Sequence, residues 1–357
     1  MSYPTFSLDQ LDKTAEQHTD VDILEMGNGA ALFTEAGARL LGLFPHADLP
    51  NTLWTSEQLG SFLARREWLI GGERLWIAPE RHFFYENPRD FEGFHVPAGI
   101  DPGNYERLAH CTYENTFSLI DLHSNTPWDN SRMLRSFTPL ADPYHTGLAY
   151  MGVAANDTVE INGPGAHFCA WSLTQVYSCG PGKAGTAFFP VADTAQLISY
   201  FEPVPPRYAT VHKEGYASFR IDANAIYKIG IRPEDMRFDN LCKALYLSPF
   251  PGSKKWFCLI KRSDSMPRSQ AECVDIARSN PEGPMGAIQS YNNGPDFRPD
   301  IECPFGEIEL QLQKGRDEGG KSVSKAHHEL LSYAGTKAQM LDLAQTVLGL
   351  QAPPSAY

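Results

Sequence analysis

The chain has 357 residues, a net charge of −13 and no run of clustered Lys and Arg, which argues against a surface that binds nucleic acid. Hydrophobic residues make up 42% and aromatic residues 11% of the sequence, a composition typical of a globular protein. Large all-β folds often hold this many residues as one unit, and we expect a single domain spanning 1–357.

The N-terminal stretch MSYPTFSLDQLDKTAEQ has neither the basic nor the apolar region of a secretory signal, and no run reaches the length of a membrane span. The seven cysteines are widely spaced without a Cys-x-x-Cys pair. Zinc-protease, phosphate-loop, nucleophile-elbow and dinucleotide motifs are absent. We therefore expect a cytoplasmic protein with reduced thiols, no membrane partner, no metal and no cofactor.

Short alternating segments separated by glycine and proline follow one another along the chain. They are VDILEMG, AALFTEAGARLLGLFP, RLWIAPE, NTFSLIDLH, TVEINGPG, HFCAWSLTQVYS, YASFRID, IYKIGI, KALYLSPF, KWFCLIK and EIELQLQ. Many short strands with turn signals between them indicate a β-sandwich or barrel. No βαβ alternation is present, so a doubly wound sheet is not expected.

Helix signals are few and lie near the ends of the chain. A first helix is indicated over 57–68, in EQLGSFLARREW. Near the C-terminus, Thr336 and Gln339 form a capping box, an apolar stripe follows, and Gly349 provides the end of the helix. The sequence thus predicts an all-β protein with minor helices.

The segment FGEIELQLQ places two carboxylates on one face of a strand. Glu307, Glu309, Gln311 and Gln313 alternate with apolar residues, so they point the same way. The pattern fits a strand with one solvated face. It also fits the floor of a cleft, in which neighbouring carboxylates raise each other's pKa and suit proton transfer.

The segment GAHFCAWSLTQVYS places His167, Cys169, Trp171 and Leu173 on one face of a strand. A histidine among apolar residues is ordinarily a core residue with satisfied hydrogen bonds. If the face lines a cleft, His167 is instead a candidate general acid or base, and Trp171 is suited to stack on a sugar ring.

The stretch GGERLWIAPERHFFYE alternates in the same way. Arg74, Trp76 and Glu80 are predicted on one face, with Arg81 and His82 at a rim after Pro79. The arginine could lie over a surface tryptophan, or its fork of donors could bind hydroxyl or carboxylate groups of a ligand.

Two further polar residues are candidates for ligand binding. Lys228 alternates with apolar neighbours in AIYKIGI, so it is either solvated or directed into a cleft. Asn292 belongs to the turn sequence Asn-Asn-Gly-Pro, whose amides could contact a ligand although a turn alone explains them.

Several motifs in order resemble the galactose mutarotase-like superfamily, in an aldose 1-epimerase-related branch. They are EMGNGAALFTEAGARLLGLFP, GGERLWIAPER, GIDPGNY, YENTFSL, HFCAWSLTQ, IQSYNNGP and FGEIELQLQ. The resemblance covers most of the chain. It implies a super-β-sandwich with a cleft of the size of a sugar.

The resemblance also implies roles for individual residues. The family's catalytic base is a glutamate in a late strand, and the segment IELQ places Glu309 there, with Glu307 as the neighbouring candidate. The family's acid is a histidine on a central strand, for which His167 is the nearest fit. Arg74, Trp76, Arg81, His82, Trp171, Lys228 and Asn292 are then expected to bind the substrate.

Three functional hypotheses follow from the residues and the resemblance. The first is an aldose 1-epimerase-like mutarotase acting on a mono- or oligosaccharide. The second is a glycoside or uronate lyase or hydrolase on the same fold, in which the Glu and His act on a carboxylate-bearing or linked sugar. The third is a non-catalytic carbohydrate-binding protein. The sugar and the oligomeric state stay open.

Overall fold

The computed structural model describes residues 5–178, 184–298 and 301–357. Strands dominate these residues, as the alternating segments predicted. In chain order they are β1 Val21–Met26, β2 Gly29–Thr34, β3 Arg39–Phe44, β4 Glu73–Ala78, β5 Tyr85–Asn87, β6 Glu92–Phe94, β7 Tyr105–Ala109, β8 Thr112–Asp121, β9 Thr126–Pro139, β10 Ala149–Ile161, β11 Cys169–Tyr177, β12 Gly185–Pro190, β13 Ile198–Ser199, β14 Ala209–His212, β15 Tyr216–Ile221, β16 Tyr227–Ile231, β17 Cys242–Pro249, β18 Trp256–Ser263, β19 Ile288–Asn292, β20 Phe305–Lys314, β21 Arg316–Glu318 and β22 Lys321–Gly335.

Two large antiparallel sheets contain nearly all of these strands. The first has nine strands in the order β1-β2-β3-β4-β11-β20-β19-β16-β13. The second has eleven, in the order β14-β15-β12-β17-β18-β22-β10-β9-β8-β7 with β21 beside β22. Strands β5 and β6 form a separate hairpin. Every pairing between these described strands is antiparallel, which confirms the expected all-β class and the exclusion of a doubly wound sheet.

The two sheets pack face to face over a largely apolar core. On β11, Ser172 and Thr174 point toward the second sheet, where they meet His328 and Lys261. Because successive side chains of a strand point to opposite faces, Trp171 and Leu173 on the same strand point away from the second sheet. The outer face of the nine-stranded sheet is therefore free to carry a site.

The helices are short and lie outside the two sheets. They are α1 Leu8–Ala15, α2 Leu59–Ala64, α3 Glu80–Phe83 and α4 Lys337–Leu348. Helix α2 lies within the predicted 57–68 segment. Thr336 is the N-cap of helix α4, where its hydroxyl and the Gln339 side chain form the predicted capping box, and Gly349 caps the other end in the left-handed conformation. Both helix predictions are confirmed, and α4 packs on β17, β18 and β22.

Candidate active site

A cavity of about 710 Å³ opens on the outer face of the nine-stranded sheet. Its floor comes from the five adjacent strands β4, β11, β20, β19 and β16. The register brings one or two residues of each strand to a common face, because paired residues of neighbouring strands point the same way. The floor residues are Arg74, Trp76, Trp171, Leu173, Glu307, Glu309, Tyr291 and Lys228.

Glu309 lies at the centre of this floor and is 0% exposed. Its Oε2 atom accepts a hydrogen bond of 3.1 Å from Trp171 Nε1 and lies 3.0 Å from Lys228 Nζ. Its Oε1 atom has no hydrogen-bond partner among the described residues. One carboxylate oxygen is thus held in place while the other keeps its lone pairs for a ligand.

Burial controls the protonation of Glu309. Removal from water raises the pKa of its carboxyl to about 7, since a charge is less stable in a medium of low polarity. Lys228 opposes this shift and the nearby carboxylate of Glu307 adds to it. A carboxyl group with a pKa near neutrality can both accept and return a proton at physiological pH.

Lys228 is the cation that faces this carboxylate, and it is 3% exposed. Its Nζ lies 3.5 Å from Glu80 Oε2 and 4.7 Å from the centre of the Trp171 ring. Burial alone would lower the pKa of the Lys228 ammonium, but Glu309 and Glu80 raise it above its ordinary value. Lys228 is therefore charged while its carboxylate partners are ionised.

A second ion pair lies beside the first. Arg74 Nη2 donates a hydrogen bond of 2.8 Å to Glu307 Oε1, and the guanidinium lies 4.2 Å from the centre of the Trp76 ring. The Nε and Nη1 atoms of Arg74 are buried and have no partner within the described part of the chain. Two donors are thus left for oxygen atoms of a ligand.

Aromatic side chains form most of the cavity wall. Trp76 is fixed by a hydrogen bond of 2.8 Å from its Nε1 to Asp101, which also binds Arg39. Rings suit the C–H faces of a sugar, since they offer a rigid apolar surface. The aromatic residues in the lining are Trp68, Trp76, Tyr85, Phe91, Phe94, Trp171, Phe201, Tyr291, Phe297 and Phe305.

Of the two interpretations of FGEIELQLQ, a solvated strand face and the floor of a cleft, the structure supports the second. Glu307 is 6% exposed, and Glu309 and Gln311 are fully buried, so the interpretation as a solvated face is wrong. The residues do share one face of β20, as alternation predicted. The water-facing interpretation fails because neighbouring strands and the cavity wall cover that face.

The prediction for GGERLWIAPERHFFYE is confirmed for its first part. Arg74 and Trp76 line the cavity from β4, and Glu80 lines it too, although it belongs to α3 rather than to the strand. The guanidinium of Arg74 does lie over the Trp76 ring, but both side chains are buried, so only the surface location in that interpretation is wrong. Lys228 is directed into the cavity rather than solvated.

Arg81 and His82 lie on α3 but are not among the described residues that line the cavity. Arg81 Nε donates a hydrogen bond to the Pro88 carbonyl. His82 Nδ1 lies 3.3 Å from Asp121 Oδ2, and its ring stacks on His123. The structure thus gives both residues partners within the protein, and their role in binding substrate stays a prediction.

His167 does not share a face with Trp171. Strand β11 begins at Cys169, so His167 precedes it and lies exposed near His82, with 6.1 Å between the ring centres. The shared face and the interpretation as a core histidine are both wrong for this reason. The cavity lining drawn from the described residues contains Glu309 but not His167.

Asn292 points away from the cavity, because it alternates with Tyr291 on β19. Its side-chain oxygen accepts hydrogen bonds from the backbone N–H groups of Asp222 and Ala223, and its amide donates to the Ala225 carbonyl. Asn292 therefore anchors the loop before β16. Asn292 is itself the last residue of β19, so its side chain holds a loop elsewhere in the chain rather than its own turn.

Asp275 is a buried acid beside the charged residues of the floor, and no pattern in the sequence selects it. It accepts hydrogen bonds of 2.8 Å from the Glu80 backbone N–H and from Gln289 Nε2. Burial raises the pKa of Asp275 to about 6, while Lys228 opposes the shift. It lies in an irregular segment without periodicity, so no pattern could have identified it.

Within the described ranges, no group of three or more His, Cys, Asp or Glu residues is arranged to hold a metal ion. None of the helices described is long and apolar enough to cross a membrane. Among the described cysteines, Cys111, Cys169, Cys242, Cys258 and Cys273 are free of disulfide bonds. Cys179 lies outside the described residues.

No family model matches the sequence, and no curated protein matches it. Solved structures similar to the chain include a galactose mutarotase-like protein from Lactobacillus casei ATCC 334, with 12% identity, a TM-score of 0.45, and coverage of 88% of this chain and 99% of that one. A galactose mutarotase-like protein from Clostridium acetobutylicum has 7% identity and a TM-score of 0.38, and the match covers 90% of this chain and 99% of that one. A protein from Klebsiella pneumoniae subsp. pneumoniae MGH 78578, provisionally assigned as an aldose 1-epimerase, has 10% identity and a TM-score of 0.39. That match covers 94% of this chain and 88% of the other.

Proposed function

We propose that the protein is a carbohydrate-active enzyme that interconverts the two anomers of an aldose, as an aldose 1-epimerase does. The observation that carries the proposal is Glu309. It is a buried carboxylate with a pKa near neutrality and one unpartnered oxygen, on the floor of an aromatic cavity. This is the arrangement that a general base needs in order to act on a hydroxyl group of a sugar.

In the proposed reaction, Glu309 Oε1 takes the proton of the anomeric hydroxyl group. The bond between the anomeric carbon and the ring oxygen breaks as Lys228 gives a proton to that oxygen. The open-chain aldehyde rotates about one carbon–carbon bond and closes again, with Lys228 recovering its proton and Glu309 returning its own. Arg74 holds further hydroxyl groups through its two unpartnered donors.

Lys228 replaces His167 as the proposed acid because it lies in the cavity beside the base. Its ammonium is held charged by Glu309 and Glu80, so protonation of Glu309 removes part of that support. Lys261 shows what burial does to a lysine when the surrounding carboxylates offset the loss of hydration less fully. Its pKa is lowered to about 7. Proton uptake by Glu309 therefore makes Lys228 a better proton donor.

We expect Lys228→Met to lower the rate of anomer exchange by about a hundredfold or more, since the proton donor is lost. Because the cation that lowers the pKa of Glu309 is also lost, the rising part of the pH–rate profile should move to higher pH. Lys228→Arg is the matched variant, because it keeps the charge but donates a proton poorly. Full recovery of the rate in Lys228→Arg would contradict proton donation and leave only an electrostatic role.

A neutral sugar is favoured over a uronate by the charges of the cavity. Three cations, Arg74, Lys228 and Arg278, face five carboxylates, Glu80, Glu202, Asp296, Glu307 and Glu309. A carboxylate on the substrate would meet a net negative surface. This argues against the uronate lyase, whereas a hydrolase or a sugar-binding protein would use the same aromatic walls.

We expect the wild-type protein to accelerate mutarotation of at least one neutral aldose, with a rate that rises through a pH of about 7. The sign follows from the base, which works only when ionised, and burial raises the pKa of Glu309 to about 7. Polarimetry or NMR saturation transfer on a panel of aldoses, corrected for the spontaneous reaction, measures this profile. A product of altered mass would identify a lyase or hydrolase, and binding without exchange would identify a sugar-binding protein.

A further inference from the structure

The cavity has two parts that differ in exposure. Its floor contains the buried charged residues around Glu309. Its mouth carries aromatic side chains in contact with solvent, of which Phe94 is 45% exposed and Phe201 and Phe297 are half-buried. These three rings come from three separate segments, namely β6 and the irregular stretches after β13 and β19. Their convergence on one opening requires an explanation beyond core packing.

Each ring at the mouth is held from behind by another aromatic residue. Phe94 packs against Tyr85 at 5.6 Å between ring centres, and Phe297 packs against Phe305 at 5.8 Å. Phe201 contacts Tyr291 at 6.3 Å. The rings are therefore supported from the cavity wall while one face or edge stays open. Such rings form a preformed surface for a ligand.

The size of the cavity points to a ligand longer than one sugar ring. A volume of about 710 Å³ lies in the upper part of the roughly 300–1,000 Å³ range of sites that enclose drug-sized ligands. A single pyranose is much smaller than such a ligand. One ring over Glu309 would leave the aromatic mouth in water.

We propose that the mouth is a second sugar subsite, which stacks the non-reducing ring of a reducing disaccharide while its reducing ring lies over Glu309. This inference rests on the proposed function for the position of the reducing ring. Ring opening needs a free anomeric hydroxyl group, so the extension of the substrate must be attached elsewhere on the ring, as in a reducing disaccharide.

The charges at the mouth agree with a neutral extension. Glu202 and Asp296 lie there with Arg278 as the cation, and Ser279 adds a hydroxyl group. An excess of carboxylates disfavours a phosphate or carboxylate on the substrate. The same polar groups can exchange hydrogen bonds with sugar hydroxyls. A second pyranose, apolar on its faces and polar at its edge, fits both features.

The test compares Phe94→Ala and Phe297→Ala with the wild type on glucose and galactose and on the reducing disaccharides cellobiose, maltose and lactose. We expect kcat/KM for the preferred disaccharide to fall about tenfold in each variant, since one stacking contact is lost, and to stay unchanged for the monosaccharides. Phe94→Tyr should retain the wild-type value. Leu108→Ala is the matched control, since Leu108 is an exposed apolar residue that is not in the cavity lining.

A second measurement separates this inference from the proposed function. Binding of the methyl glycosides of the same sugars, followed by tryptophan fluorescence, needs no catalysis, and Trp68, Trp76 and Trp171 report on the cavity. If exchange is absent but a disaccharide glycoside binds more tightly than the monosaccharide, and Phe94→Ala removes the difference, the subsite stands and the proposed function fails. Three results would overturn the subsite. They are equal binding of mono- and disaccharide glycosides to the wild type, an equal loss of binding of both in Phe94→Ala, and no binding of any sugar.

Discussion

Glu309→Gln is expected to lower the rate of anomer exchange by about 10²–10⁴-fold, the range that general acid–base catalysis contributes. The amide has nearly the shape of the carboxyl group but cannot accept the proton of the anomeric hydroxyl. The hydrogen bond from Trp171 Nε1 can be kept by the amide oxygen. Binding of a methyl glycoside should therefore change far less than the rate, and polarimetry beside a fluorescence titration measures both.

Glu307→Gln is the matched control for this prediction. Glu307 lies two residues away on the same face of β20, but its carboxylate is engaged by Arg74 at 2.8 Å. Its loss should mainly weaken substrate binding, because Arg74 is no longer held in place. A larger loss of rate in Glu307→Gln than in Glu309→Gln would move the role of base to Glu307. Full activity in Glu309→Gln, with the fold intact by circular dichroism, would reject the proposed mechanism.

Alternation along strands was enough to predict which residues of β4 and β20 share a face. Arg74 and Trp76, like Glu307 and Glu309, line the cavity as a period of two requires. The sequence could not tell a water-facing side from a floor, because that depends on what neighbouring strands and loops cover. Glu309 and Lys228 are 81 residues apart in the chain, yet the two strands that carry them are separated in the sheet only by β19.

The prediction for His167 failed at the end of a strand, where patterns are least informative. The residues before Cys169 fit the same alternation, but β11 begins only at Cys169, and His167 is not among the described residues that line the cavity. Residues contributed by irregular segments, such as Asp275 and Phe297, carry no periodicity at all. Their place in the site is set by tertiary packing, which a single sequence does not display.

Between the two sheets, directly behind the floor of the cavity, lies a buried cluster of charges centred on Arg135. This arginine is fully buried on β9, with Nη2 2.9 Å from Glu73 and Nε 2.8 Å from Asp157. His328 contacts the same two acids at 3.1 and 3.4 Å. Burial alone would raise the pKa of Glu73, but Arg135 and His328 hold it well below its usual value. The stability of the sandwich therefore depends on this cluster staying complete.

Arg135→Met is expected to lower the free energy of unfolding by about 3–5 kcal/mol at neutral pH, because two buried carboxylates lose their main counter-charge. Arg132→Met is the matched control on the same strand, since Arg132 is 41% exposed and pairs with Glu114 at the surface. Arg132→Met should lower the free energy of unfolding by less than about 1 kcal/mol. Urea unfolding of both variants measures the difference.

The pH dependence of this deficit gives a second, independent test. In the wild type, the lowered pKa of Glu73 contributes stability that is present above the unfolded value of about 4.5 and is lost as the pH falls through the folded value. Without Arg135, only His328 and Lys261 oppose the effect of burial, so we expect the pKa of Glu73 to rise above the unfolded value and the variant to gain stability on acidification. The difference between wild type and Arg135→Met should therefore shrink between pH 7 and pH 5. A deficit that is equal at both pH values, or no larger than that of Arg132→Met, would mean that the cluster does not hold the two sheets together through its charges.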